Sequence, residues 1–230
     1  LEAAIEDRIK LWGCFLPPGT KVLDLGCGQQ PYRPIVEKQL FHYSSFDVVQ
    51  NQDSSVDFLG RIDDLDLPEK LLNNGPYDLI MVTEVMEHVL DWDRAFGNLQ
   101  RLVSPKGEIL ITCPFFFPIH EEPFDFWRPT YFTLAAFSKK YNFEIKTSDR
   151  LGSATDCLGL IVGHLLVRMN YKTPTNLIQR VRFSLQQRLI KGILKSLHWL
   201  ITKGVFENYF NATQDLYVSN LVVLRGQIKP

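Results

Sequence analysis

The sequence predicts an α/β protein built on a doubly wound, mostly parallel seven-stranded sheet. Helices cover both faces, and a helical insertion precedes the last strand. Three observations carry this expectation. Short apolar runs alternate with segments of helical period from residue 18 to about 150, the signature of a parallel sheet covered on both sides. The run Val22-Leu23-Asp24-Leu25 ends in a glycine turn, Gly26-Cys27-Gly28, followed by prolines suited to a helix start. Carboxylates recur where successive strands end, at Asp24, Asp47, Asp63/Asp64 and Glu84.

The elements follow in order. Residues 2–12 are expected as a helix with Ala3, Ile5, Ile9 and Trp12 inward, broken by Pro17-Pro18-Gly19. Lys21–Leu25 is the first strand. Tyr32, Ile35, Val36 and Leu40 recur at helical spacing after the turn. Strands are expected at Tyr43–Val48, Val56–Ile62 and Tyr77–Val82. Asp91 or Asp93 can cap a helix bearing Phe96, Leu99, Leu102 and Val103. Pro105-Lys106-Gly107 should end that helix before a fifth strand, Glu108–Cys113. Residues 114–130 hold four prolines and are rich in aromatics, so a long, structured loop is expected. Thr133 is expected as the next N-cap, Phe143–Thr147 as the sixth strand, 154–207 as largely helical, and Leu216–Leu224 as the last strand.

The chain has 230 residues, 45% of them hydrophobic and 22% charged, with a net charge of −1. This suits one domain with one good core. Its expected parts are an N-terminal helix (1–17), a ligand-binding core (18–153), a helical insertion or cap (154–212) and a last strand (213–230). The near-zero charge points to no polybasic or polyacidic partner. Cys14, Cys27, Cys113 and Cys157 form no Cys-x-x-Cys pair and have no histidines at zinc spacing. They read as free thiols in a reducing cytoplasm, and no metal is expected. The start, Leu1-Glu2-Ala3-Ala4, does not read as a signal peptide, and no apolar run is long enough to span a membrane.

In open α/β sheets ligands sit at the carboxyl ends of the strands. Asp24 to Gly28, Asp47, Asp63/Asp64, Glu84 and Pro114 all fall at such ends. Carboxylates suit a ligand rich in donors, such as ribose hydroxyls, an amino group or an ammonium. They suit a pyrophosphate poorly, because like charges repel. The third glycine of a dinucleotide fingerprint is also missing, with Gln30 in its place.

These motifs together resemble the class I S-adenosylmethionine-dependent methyltransferases, in their small-molecule, type 11-like branch. Asp24-Leu25-Gly26-Cys27-Gly28 matches the first motif of that family. Asp47 matches its ribose-binding acid, and Asp63 or Asp64 the position beside adenine. Tyr77-Asp78-Leu79-Ile80 through Thr83-Glu84-Val85-Met86-Glu87-His88-Val89 matches the fourth-strand motif. Leu102-Val103-Ser104-Pro105-Lys106-Gly107-Glu108 matches the passage from helix to fifth strand. The loop His120-Glu121-Glu122-Pro123-Phe124-Asp125-Phe126-Trp127-Arg128 resembles a subgroup met in bacterial surface-polysaccharide and secondary metabolism. The resemblance implies a Rossmann-like fold and S-adenosyl-L-methionine as cofactor. It places that cofactor against Asp24, Gly26, Cys27, Gly28, Asp47, Asp63, Asp64, Thr83 and Glu84. The expected reaction is methyl transfer to a small-molecule, sugar- or lipid-linked acceptor at oxygen. His120, Asp125 and Arg128 are the expected catalytic group: His120 as base, because an imidazole titrates near neutral pH, and Arg128 as a fork for an acceptor carboxylate or phosphate.

Simpler roles stand beside these. Cys27 and Cys113 can be small apolar fillers, His88 a packing residue, Glu87 a helix-start carboxylate, and the loop aromatics a packed lid. A nicotinamide-dependent oxidoreductase is disfavoured by Gln30 and the carboxylates. A non-catalytic adaptor of the same fold is disfavoured by the intact Asp24, Gly26, Gly28 and Asp47.

Between Cys157 and Phe206 there are eight basic residues and no acidic ones, and Leu185, Leu189, Ile193, Leu197 and Ile201 recur every four. Peripheral contact of 174–206 with the inner face of an anionic membrane is one expectation; packing on the sheet or on a second copy in a homodimer is the other. Nucleic acid is not an expected partner, because no binding module accompanies the basic face.

Overall fold

The structure is a computed structural model that describes residues 1–168, 176–205 and 216–226. The elements run α1 (Glu2–Phe15), β1 (Lys21–Leu25), α2 (Arg33–Lys38), β2 (His42–Asp47), β3 (Phe58–Leu59), α3 (Glu69–Asn74), β4 (Tyr77–Thr83), α4 (Trp92–Leu102), β5 (Val103–Pro114), α5 (Tyr131–Lys140), β6 (Phe143–Leu151), α6 (Ala154–Arg168), α7 (Leu177–Thr202) and β7 (Ser219–Gly226). A short 3-10 turn, Met86–His88, lies between β4 and α4. The sheet order is β3-β2-β1-β4-β5-β7-β6. All pairs among β1 to β5 are parallel, and β7 runs antiparallel to both β5 and β6. This is the Rossmann-like sheet that the alternating pattern predicts.

Alternate residues of the central strands feed two cores. Leu23, Leu25, Ile80, Val82, Ile109 and Ile111 face one side, where Phe96, Leu99 and Leu102 of α4 cover them. Val22, Leu79, Met81 and Leu110 face the other, under Ile5, Ile9 and Trp12 of α1. Both faces are dry, so these strands read as continuous apolar runs rather than alternating ones. Two polar tethers set the helices. Asp91 caps α4 by accepting from the Arg94 amide at 3.0 Å. Buried Asn98 donates to the carbonyls of Ile62 and Asp64 at 2.7 and 2.9 Å, which fixes the loop after β3.

Several expected boundaries move, each for a local reason. The third strand shrinks from Val56–Ile62 to two residues. Side chains replace its ladder: Asp57 accepts from the Ser45 amide and hydroxyl, and Gln50 accepts from the Val56 amide. The fifth strand starts five residues before Glu108. Val103 already pairs with Tyr77, and the stretch through Lys106 (φ 68°) is an irregularity inside the strand rather than a break before it. The N-cap of α5 is Thr130, not Thr133, because the Thr130 carbonyl accepts from the amides of Thr133 and Leu134 and closes the first turn there. The six-residue α3 carries no pattern that predicts it.

The described chain divides into two compact units. One holds Leu1–Phe115, Ile119–Leu151 and β7; the other holds Phe116–Pro118, α6 and α7. Within the second, Gly159 of α6 lets Ile201 of α7 approach to 3.4 Å of where a Cβ would stand, and Cys157, Val162 and Ile201 are buried. Leu185, Leu189, Ile193 and Trp199 of α7 are exposed. No described helix is long and apolar enough to cross a membrane. The parts of the expected insertion at 169–175 and 206–212, and residues 213–215 and 227–230 of the expected last-strand part, lie outside the described residues.

Candidate functional site

The carboxyl ends of β1, β2 and β4 open on a cavity of about 430 Å³. The turn after β1 shapes its floor. Gly26 and Gly28 both hold left-handed backbone, at φ 72° and 50°, which glycine adopts at no steric cost. A Cβ on Gly26 would stand 2.2 Å from Val85 Cγ2, so Val85 packs directly on backbone there. A Cβ on Gly28 would meet nothing within 4 Å, because that side of the turn faces the cavity. The Gly28 amide donates to Asp47 Oδ2 at 2.8 Å, and the amides of Val48 and Val49 donate to Oδ1 at 2.7 and 3.3 Å. This ties the ends of β1 and β2 together and fixes the Asp47 carboxylate in the cavity wall.

Five of the nine residues expected at the cofactor line this cavity: Gly26, Gly28, Asp47, Asp63 and Glu84. The other four do not. Asp24 is 1% exposed and lies beneath the turn, where the Tyr43 hydroxyl donates to its Oδ2 at 2.6 Å and its Oδ1 has no hydrogen-bond partner. Burial raises its carboxyl to about 6. Cys27 is buried and its thiol is pushed up to about 12, chiefly by burial, so it is an inert filler. Asp64 caps a turn by accepting from the Arg61 amide at 3.0 Å. Thr83 pairs in register with Thr112. Asp63 reaches the wall already gripped by Arg61, at 2.9 and 3.2 Å. The rest of the wall is largely apolar, with Phe46, Val48, Val49, Val89 and Phe124. The sequence analysis names the strand of Phe46 and Val48, the motif ending at Val89 and the loop holding Phe124, but gives none of them, nor Arg61 and Val49, a place at the ligand; only the fold collects them.

The long loop after β5 folds back over the turn after β4. The Glu87 carbonyl accepts from the amides of Phe126 and Trp127 at 2.8 and 3.3 Å, and Trp127 Nε1 donates to the Val89 carbonyl at 2.9 Å. Buried Asn220 of β7 donates to the Pro129 carbonyl at 2.9 Å. His120, Asp125 and Arg128 form one cluster. Arg128 holds Asp125 through both ends of its fork, at 2.6 and 2.7 Å, and Asp125 Oδ2 lies 3.2 Å from His120 Nδ1. The guanidinium lowers the Asp125 carboxyl to about 2. The fork expected to take an acceptor anion is therefore engaged by Asp125. Asp125 itself, 1% exposed at its side chain, orients His120. None of the three lines the cavity; their loop neighbours Glu121 and Phe124 do.

His88 does line the cavity, and it sits on the 3-10 turn. Its Nδ1 is 2.8 Å from the Phe124 carbonyl, and its ring meets that of His120 edge-on with centroids 4.8 Å apart. Glu87 is fully buried beside it, with Cys113 Sγ 3.6 Å from Oε2. Burial, helped by the neighbouring Glu84 charge, raises the Glu87 carboxyl to about 8. Glu84 (φ 53°) accepts from the Ser219 hydroxyl at 3.1 Å, and burial raises its carboxyl too.

The family described as a methyltransferase domain matches residues 1–143. No curated protein matches the chain in sequence. Among solved structures it is similar to an S-adenosylmethionine-dependent methyltransferase of Archaeoglobus fulgidus, with TM-score 0.54 and 14% identity over 98% of this chain and 94% of that one. It is also similar to the 4+2 cyclase SpnF, with TM-score 0.58 and 15% identity over 98% and 82%. A third is phosphoethanolamine N-methyltransferase 2 of Haemonchus contortus, solved with S-adenosyl-L-methionine, with TM-score 0.55 and 14% identity over 98% and 53%. At these identities the likeness is one of fold.

Proposed function

The chain belongs to the methyltransferase domain family, and on that premise we propose that it moves a methyl group from S-adenosylmethionine to an oxygen of a small-molecule, sugar- or lipid-linked acceptor. The observation that carries this reading is Asp47, fixed in the cavity wall beside the open turn at Gly28. Its two oxygens accept three backbone amides, and a carboxylate offers about four lone-pair sites, so capacity remains for one hydroxyl of a ribose. The exposed backbone at Gly28 admits a chain passing close by, and Phe46, Val48 and Val49 offer an apolar bed for a purine. Asp63 and Glu84 supply further acceptors for amino or ammonium groups. A dinucleotide pyrophosphate would meet three carboxylates here, which disfavours a nicotinamide enzyme. Fold alone does not carry methyl transfer, as the cyclase among the similar structures illustrates.

The cofactor, when bound, supplies an already activated methyl on sulfur. What remains for the protein is to hold the acceptor in line, exclude water and manage the acceptor's proton. The loop 119–128 does the first two, strapped to residues 87–89 by the hydrogen bonds of Phe126 and Trp127. For the third, the Asp125 carboxylate holds His120, accepting from its backbone amide at 2.9 Å and lying 3.2 Å from its Nδ1. Arg128 keeps Asp125 ionised and in place. Arg128 and Asp125 are thus positioning residues, and His120 acts on the acceptor's side of the site.

The test is methyl transfer from isotopically labelled S-adenosylmethionine to a panel of hydroxylated small molecules, nucleotide sugars and lipids, read by mass spectrometry. Labelled product from one class is expected, with turnover lost in His120→Ala while S-adenosylhomocysteine still binds. Folded protein that labels none of the three classes overturns the acceptor reading. A His120→Ala variant working at the native rate overturns the role of that residue.

A specific observation favours one addition. The α7 stripe of Leu185, Leu189 and Ile193 is exposed on a helix that carries Arg188, Lys191 and Lys195 and no acidic residue. We assign this face to an anionic membrane surface, whose charge it complements.

A further inference from the structure

Two imidazoles and a buried carboxylate converge beside the cavity. The ligand atoms of Glu87, His88 and His120 lie within 4.8 Å of one another. Glu87 Oε1 is 3.8 Å from His88 Nε2, and Glu121 Oε2 is 3.7 Å from the same nitrogen. Tetrahedral ligands held about 2.1 Å from a common ion stand about 3.4 Å apart. The Glu87–His88 and Glu121–His88 edges are therefore within a few tenths of an ångström of that spacing. Glu87 is 0% exposed, and its Oε1 has no hydrogen-bond partner. A polar oxygen left unpaired in the interior is costly, and a cation at this point removes the cost.

We propose that Glu87, His88 and His120 bind one divalent first-row transition-metal ion, with Glu121 as an exchangeable fourth ligand, and that the ion holds a hydroxyl oxygen of the acceptor. The second half rests on the methyl-transfer reading above; the first half does not. Two imidazoles with one carboxylate suit zinc, manganese or ferrous iron, whereas calcium and magnesium prefer oxygen donors throughout. The surroundings of both rings fit the role. Phe124 O sits against Nδ1 of His88, and Asp125 Oδ2 against Nδ1 of His120. The carbonyl contact places the proton of His88 on Nδ1 and its lone pair on Nε2, the arrangement that metal-ligating histidines adopt, and the Asp125 carboxylate supplies the same kind of outer partner to His120. Glu121 has a 73% exposed side chain, so it can yield its place to a ligand entering from the cavity that it and His88 line. Coordination lowers the pKa of a bound hydroxyl. With Nε2 of His120 on the ion, the proton passes to water instead of to that ring, and the oxygen forms its bond to the methyl as the methyl–sulfur bond of S-adenosylmethionine breaks, leaving S-adenosylhomocysteine. The acceptor class is thereby narrowed to hydroxyl compounds.

The experiment uses tag-free chain stripped with EDTA and shown to be folded by circular dichroism. It is titrated with Co²⁺, followed by visible absorption, and with Zn²⁺ by calorimetry. One ion per chain is expected, with cobalt bands of a site of low coordination number. Asp125→Asn should weaken binding about 10–100-fold, and His88→Ala and His120→Ala by more than that. His42→Ala, at the far end of β2, should bind as the native chain does. If an alanine variant loses its fold, His88→Gln and His120→Gln replace it. Less than stoichiometric cobalt on the folded native chain, or binding undiminished by loss of both imidazoles, overturns the proposal. S-adenosylhomocysteine titrated into the same samples separates the readings. Its binding without metal binding sinks this inference alone, and metal binding without it leaves the ion and sinks the methyl-transfer reading.

Discussion

Asp24 is where a single side chain couples the site to stability. Burial raises its carboxyl from its ordinary value near 4 to about 6. The folded chain therefore holds that proton more tightly than the unfolded chain does. Between those two values the unfolded state binds fewer protons, so stability falls as pH rises from about 4 to about 6 and is level above. The ionised form costs up to about 2–3 kcal/mol. Asp24→Asn keeps an oxygen for the Tyr43 hydroxyl and cannot ionise. Urea denaturation at pH 4, 5, 6 and 7 should show the variant gaining on the native chain across this window; a constant difference contradicts the assignment. Gly26 gives a second residue-scale prediction. Its left-handed φ and the 2.2 Å approach of Val85 leave no room for a methyl group, so Gly26→Ala should cost about 1–3 kcal/mol in the same assay. Both positions are visible in the sequence as an acid and a glycine at a strand end. Their roles are not: Asp24 reads as a ligand contact there and lies under the turn instead, because only the pairing of β1 with β2 reveals Tyr43 beside it.

At the scale of elements, legibility followed burial. The central strands and α4 were foreseen because two-sided burial and a capped amphipathic face impose patterns that composition cannot disguise. The short β3, the early start of β5 and the N-cap at Thr130 escape the pattern. Side chains such as Asp57 and Gln50, and a backbone irregularity, decide those ends rather than periodicity. The same contrast holds for the site. Asp47 and the glycine turn were legible, whereas the meeting of Glu87, His88 and His120 depends on a loop returning from over thirty residues away. Element-scale predictions follow the same physics. Asp91→Ala removes the cap of α4 and should cost about 1 kcal/mol in thermal or urea unfolding. On α7, co-sedimentation with anionic vesicles should fall as salt rises and vanish in an Arg188/Lys191/Lys195 triple Ala variant. No sedimentation at low salt removes the membrane reading.

In the whole molecule, the sheet brings strand ends together, a cavity opens at those ends, and a loop lies beside it. Family membership gives the reaction class, and we propose the cavity at Asp47 and Gly28 as its place in this chain. The measurement that bears most directly on that claim is calorimetric titration of S-adenosylhomocysteine into the native chain, Asp47→Ala and Gly28→Val. The native chain should bind one equivalent. Asp47→Ala should lose about 1.5–3 kcal/mol of binding free energy, as expected for charge-assisted hydrogen bonds. Gly28→Val should bind more weakly still, because a branched side chain enters the open side of the turn. No binding to the folded native chain, or equal affinity in all three proteins, would contradict the account.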